Sequence, residues 1–286
     1  MDLTELNKEQ LAFLEKIGIG DNIGKNGVEK IEDILYKNAI DIAAAHKKIQ
    51  EMYQSLSQGI ARIKKIEEGL GQVLEDIEEV EITEGVLIRI VFTRESSIET
   101  VSDFKKWGEI WYNIGRGISM AYKKTPEDIK VVGAGKGSII IDLATVYVLA
   151  KAFASIVQFI LDSIKKYLDI RLKIKQLKEL DIKEEELSPV VEAVGKIKEE
   201  SIEKIVKKIL KDSNAVKEKN HGEIESALKK SVTELFDFIK GGGDIDFVLP
   251  EVYEESDDKE KKLKSMIKEI RKSEERIKQL TQKKEE

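Results

Sequence analysis

VEKIEDILYKNAIDIAAAHKKIQEMYQSLSQGIARIKKIEEGLGQVLEDIEEV, residues 28–80, decides the architecture. Val28, Ile31, Leu35, Asn38, Ile42, Ala45, Ile49, Met52 and Leu56 fall at alternating steps of three and four residues. After one slipped step the pattern resumes at Ile60, Ile63, Ile66, Leu70, Val73, Ile77 and Val80. Such steps average 3.5, which keeps one apolar seam aimed at a partner helix. A single helix of about 50 residues would reach roughly 75 Å, too long to bury its seam in a compact domain. It requires another helix, from this chain or from a second copy. Asn38 on the seam would fix register at a cost in stability.

The same spacing returns at the other end of the chain, in Leu263, Met266, Ile270, Ser273, Ile277 and Leu280. The expected self-association seam is therefore Ile31, Leu35, Asn38, Ile42, Ile49 and Leu56, joined by Leu263, Ile270 and Ile277. The two ends could pair antiparallel within one chain or drive association between chains.

Between them the character changes. VLIRIVF at 86–92 is short, apolar and β-branched, as strands are. In the segment that follows, Phe104, Trp107, Trp111, Ile114, Ile118 and Ala121 mark one helical face carrying both tryptophans. IKVV and SIIIDLA, separated by GAGKG, predict a hairpin. A second long helix runs from near Thr145 to about Leu180, apolar nearly all round in its first half. The fold class expected is mainly α with a small α+β module: long coiled-coil helices at both ends flank a β-α-β-β-α centre. The boundaries expected are a helical arm at 1–84, a basic central module at 85–180 and a helical region at 181–240. An acidic flexible linker at 241–258 and a coiled coil at 259–286 complete the chain.

Charge follows these boundaries. Residues 1–84 hold 18 acids and 10 bases, residues 85–180 hold 10 and 16, and residues 181–286 hold 27 and 23. A basic middle between acidic arms is explained by complementarity within or between subunits. The alternative is an anionic ligand, with Lys165, Lys166, Arg171 and Lys173 as the contact and the tryptophans as a stacking surface for nucleic acid.

Composition removes several chemistries. There is no cysteine, which excludes disulfides, thiolate metal sites and thiol nucleophiles. Only His46 and His221 exist, one on the heptad run and one in the polar stretch KEKNHGE, so no histidine-rich metal centre fits one subunit. GAGKGS at 133–138 ends like a phosphate-binding loop, but Lys130 stands where that loop needs its first glycine, and a β-branched run follows instead of a helix start. No cofactor, metal or catalytic residue is expected.

Gly137–Leu161 is apolar enough to span a bilayer, but Asp142 and Lys151 interrupt it. A strand followed by a buried helix fits it better than a membrane-active segment. The amino terminus, MDLTELNKEQL, has no basic-then-apolar export signal, so a cytoplasmic location is expected. Abundant lysine and isoleucine suit an AT-rich prokaryotic source. The function expected is that of a non-enzymatic scaffold: a homo-oligomer held by coiled coils, acting as subunit or adaptor of a larger assembly. A membrane-active effector using 138–161 and a nucleic-acid-binding subunit are the alternatives.

Overall fold

The computed structural model describes residues 6, 8–37, 41–74, 85–135, 139–179, 184–249 and 258–285. They form two compact units, Met1–Glu81 and Ile82–Glu286. The chain is mostly helical with one small antiparallel sheet, as the composition and spacing predict.

The first unit contains α1 (Lys8–Lys16), α2 (Gly24–Lys37) and α3 (Ile42–Leu74). The single long helix expected from the heptads is thus two helices. Asn38, the expected register residue, lies outside the described residues, as do Ile77 and Val80. At the restart, the Ala44 N–H donates to Asp41 Oδ1 at 2.9 Å. Asp41 is therefore an N-cap, and it re-nucleates a helix rather than continuing one.

The second unit is built on β1 (Val86–Phe92), α4 (Val101–Ala121), β2 (Ile129–Gly135), β3 (Ile139–Thr145) and α5 (Tyr147–Glu179). This is the β-α-β-β-α order read from the sequence. It continues through α6 (Glu184–Asp212), α7 (His221–Lys240), β4 (Asp244–Val248) and α8 (Asp258–Glu285). The sheet order is β2-β3-β1-β4, antiparallel throughout.

Strict alternation in VLIRIVF buries Val86, Ile88, Ile90 and Phe92 on one face of β1. Ile88 sits opposite Leu143 on one side and Phe247 on the other. Against this face packs an aromatic cluster in which the Phe92, Trp107 and Phe238 rings meet edge-on at 5.3–5.8 Å. Trp107 donates its Nε1–H to the Ser97 carbonyl at 3.2 Å and is buried. Core packing, not base stacking, is what this tryptophan does. Phe104, expected on the same stripe, is instead exposed one turn before it.

The opposite face of the sheet carries charge in register. Arg89 lies level with Asp142 and with Asp246. It donates two bonds to Asp142, at 2.7 and 2.8 Å.

Helix α4 begins with a capping box. The Asp103 N–H donates to Thr100 Oγ1 and the Thr100 N–H to Asp103 Oδ2, at 3.1 and 2.9 Å. It packs closely on α7 because Gly117 carries no side chain where Ser231 and the Ala227 carbonyl approach.

Helix α5 is the axis of the unit. Leu149, Phe153, Ala154, Ile156, Val157 and Ile160 are all buried, so most of its apolar first half is covered, with Val148 left exposed. It is long and apolar enough to cross a membrane by length and composition, and 56% of its most apolar window is buried inside the unit.

Two expected boundaries are corrected. Residues 244–248 of the expected flexible linker are strand β4, with Ile245, Asp246 and Phe247 buried; residues 250–257 lie outside the described residues. The final helix is not a separate coiled coil. Leu263, Ile267 and Ile270 are buried in the same core cluster as α5, and Ile277 packs against that cluster. Its heptad spacing is explained by packing within the unit on one long neighbour.

Candidate functional site

The first unit is where the sequence leaves apolar surface without cover. The glycine-rich connection between α1 and α2 turns the chain back, with Gly18 at φ +83° and Gly24 at φ +61°. Both values lie in the left-handed region that glycine adopts without strain.

Helices α2 and α3 pack antiparallel. Asn22, just before α2, donates from Nδ2 to Ser55 Oγ at 3.2 Å. Gly27 backs onto Met52, and Lys37 shares a cleft of about 520 Å³ with Lys48. Number rises along α2 as it falls along α3.

The inward row of α3 is Ala45, Met52, Ser55, Gly59 and Arg62. Gly59 takes Ile19 so closely that a Cβ there would lie 2.0 Å from Ile19 Cγ2. Arg62 Nη1 donates to the Ile17 carbonyl at 3.0 Å, and Ser55 Oγ to the Gly18 carbonyl at 3.1 Å. The slipped step at Ile60 now has an explanation. Gly59 holds the seam position after Leu56 and keeps the heptad unbroken, with the absent side chain filled by Ile19.

This inward row uses only half of the seam. Ile42, Ile49 and Ile60 remain exposed on α3, at 78%, 36% and 52%, with Tyr53 beside them. Val28, Ile31 and Leu35 remain exposed on α2, at 55%, 39% and 51%. Leu56 is half-buried. Of the seam residues expected from the sequence, Ile31, Leu35, Ile42 and Ile49 lie together on this open surface. Leu263, Ile270 and Ile277 do not, since they belong to the core of the other unit. Ile60 stood on the resumed heptad run but not in the expected self-association seam, and Tyr53 stood on neither. Their signal is a second stripe, Ile49, Tyr53, Leu56 and Ile60, at steps of four, three and four.

The expected anion contact does not assemble. Lys165 pairs with Asp162 at 2.8 Å, and Arg171 lies over the Tyr167 ring at 5.4 Å. At about 100° per residue Lys166 and Lys173 share one side of α5, while Lys165 and Arg171 leave in other directions. Lys136 of the glycine-rich turn lies outside the described residues. The strands flanking that turn pair as a hairpin, with a bulge between Val131 and Gly133, and no helix follows the glycines.

Among the described residues no group of three or more His, Asp or Glu side chains is placed to hold a metal ion. His46 is exposed, and His221 sits 3.5 Å from Glu225 on its own helix. A second cleft, of about 560 Å³, is lined by Lys105, Glu109, Tyr112, Asn113 and Lys230 between α4 and α7. Beside it burial pushes the Glu234 carboxyl above its ordinary range, against the pull of Lys230 and of an Asn113 hydrogen bond. Comparisons of the chain with protein-family models, with curated proteins and with solved structures return no match.

Proposed function

We propose that this protein is a non-enzymatic interaction protein. Residues 82–286 are its folded body, and its amino-terminal unit is the part through which it self-associates as a subunit or adaptor of a larger assembly. The observation that carries this reading is the open apolar stripe on α2 and α3.

Large apolar side chains left in water cost about 25 cal/mol per Å². From Ile42 to Ile63 the stripe at positions 42, 46, 49, 53, 56, 60 and 63 contains no Asp, Glu, Lys or Arg, although charged residues make up 36% of the chain. A helix face in a chain this charged stays uncharged for seven successive positions when something covers it.

Among the described residues of the body's helices, α4 also exposes Val101, Phe104 and Tyr112, at 87%, 58% and 57%, a shorter row on a single helix. The carboxyl-terminal heptads are satisfied within the unit, so they contribute stability rather than association. Sedimentation of the full chain at tens of micromolar should show a species larger than one chain. Ile42→Asp combined with Ile49→Asp should return it to one chain with the helix content unchanged. A single-chain species for the wild type at these concentrations would overturn the reading.

A further inference from the structure

Resting on that reading, we infer that the occupant of the open face is the same face of a second copy, and that the two amino-terminal hairpins close into an antiparallel four-helix bundle. A two-stranded coiled coil through α3 alone would use one stripe. The structure has two, one on each helix of the hairpin.

The geometry follows from residue positions. At about 100° per residue, Val28, Ile31 and Leu35 lie about 80° from the row of α2 that faces α3. Ile42, Ile49 and Ile60 lie about 110° from the row of α3 that faces α2 and the Ile17–Ile19 turn. Both rotations run in the same sense along each helix's own direction. Because the helices are antiparallel, equal senses place both stripes on the same side of the hairpin. Each helix therefore has one apolar row spent inside the hairpin and a second roughly at right angles to it. That is what a helix in a four-helix bundle needs, since it has two neighbours.

Two further observations favour a second copy as the partner. First, the six aliphatic residues named are exposed by 36–78%. With Tyr53 they offer several hundred Å² per copy, approaching the ~800 Å² per partner that standard stable interfaces bury. Second, charge does not oppose the pairing. Residues 24–74 hold 7 acids and 8 bases, so the acidity of the arm resides elsewhere, six of its acids falling in residues 75–84. A two-fold axis along the helices sets α2 of one copy against α3 of its partner, antiparallel as within each hairpin. Each surface then meets its own copy, the closed arrangement commonest among homo-oligomers. Ile31 lies opposite the partner's Ile49 in that arrangement.

The absence of cysteine makes the test clean. Full-length Ile31→Cys and Ile49→Cys proteins, one carrying a size tag, are mixed, unfolded, refolded together and oxidised. The bundle gives a disulfide between the two variants and little between copies of either one. Separately, Leu35→Asp and Ile60→Asp, both at exposed positions, should each weaken association about tenfold or more, read by sedimentation, with helix content unchanged. If Ile60→Asp dissociates the assembly and Leu35→Asp does not, the bundle is wrong and association runs through α3 alone. If the wild type sediments as one chain, the bundle and the self-associating reading both fall. Disulfides confined to Ile49→Cys pairs would also overturn the bundle.

Discussion

Arg271 of the last helix reaches back to Asp246 of the edge strand β4, donating to Oδ1 from Nη2 at 3.0 Å and from Nε at 3.3 Å. It also donates to the Phe247 carbonyl at 3.2 Å, and both side chains are buried. The pair pins α8 to the sheet edge and closes it. Taking away one partner of such a pair strands a buried charge, at about 3–5 kcal/mol. Arg271→Leu should therefore lower the urea midpoint of the second unit by an amount of that order. Asp246→Asn in the Arg271→Leu background should recover part of the loss. An unchanged midpoint in Arg271→Leu would show that α8 is not docked.

Gly117 and Gly108 lie on the same helix and should respond to alanine with opposite signs. A Cβ at Gly117 would stand 2.1 Å from Ser231 Oγ and 2.4 Å from the Ala227 carbonyl oxygen. The backbone cannot yield cheaply there, and Ser231 is held by a 2.7 Å bond to the Asn113 carbonyl. Gly117→Ala should destabilise by about 1–3 kcal/mol through overpacking. A Cβ at Gly108 meets nothing within 4 Å. Gly108→Ala should stabilise by about 0.5–1 kcal/mol, the helix propensity difference. Thermal unfolding of both variants checks the pair, and equal signs would mean that the α4–α7 approach is looser than described.

The strands and the core helix were legible because their signals are local. VLIRIVF alternates, and the two runs flanking GAGKG are too short for anything but a hairpin. Residues 147–161 are apolar nearly all round, broken by Lys151, Ser155 and Gln158, as suits a helix packed on most of its sides. What could not be read was which seam meets which partner. Leu263 and Ile270 keep the same 3.5-residue step as Ile42 and Ile49, yet one pair is buried against α5 and the other is open. Spacing records that a helix has a neighbour and does not identify it. The acids of 244–258 concealed β4 for a related reason. Asp246 is tolerated inside because the Phe247 N–H and Arg271, 25 residues later, donate to it, and nothing local announces the second pairing. The break before Ile42 was hidden because the apolar steps continue across it.

Tyr122 supplies a prediction about alkaline pH. Burial, reinforced by the nearby negative charge of Asp212, pushes its hydroxyl up to about 12. The folded protein thus keeps this proton at pH values where an unfolded tyrosine, with its pKa near 10, has released it. Between about pH 10 and 12 the unfolded state binds fewer protons than the folded state, so stability falls as pH rises through that window. Below pH 10 the contribution is complete. Absorbance titration should show a late tyrosine ionisation, and Tyr122→Phe should remove that late step. Tyr122→Phe should also flatten the loss of stability between pH 10 and 12, measured by urea unfolding at each pH. A titration in which all tyrosines ionise together near 10 would contradict the buried environment.

The long apolar helix separates a core role from a membrane role. Ile156 and Ile160 are buried among helices of the same unit, whereas Lys151 is half-buried and, at about 100° per residue, leaves the opposite side of α5. Ile160→Asp would place an unpaired charge in a packed interior, at several kcal/mol, and should unfold the second unit. Lys151→Leu trades a partly solvated ammonium for a shorter aliphatic side chain, and its effect on the stability of the folded protein should be under about 1 kcal/mol. In a bilayer the same change would remove about 2.5–3.5 kcal/mol of insertion cost and drive the chain into lipid. Cells expressing each form, fractionated and carbonate-washed, should retain both wild type and Lys151→Leu in the soluble fraction. A shift of Lys151→Leu into washed membranes, with wild type divided between the fractions, would mean that the helix leaves its core to insert.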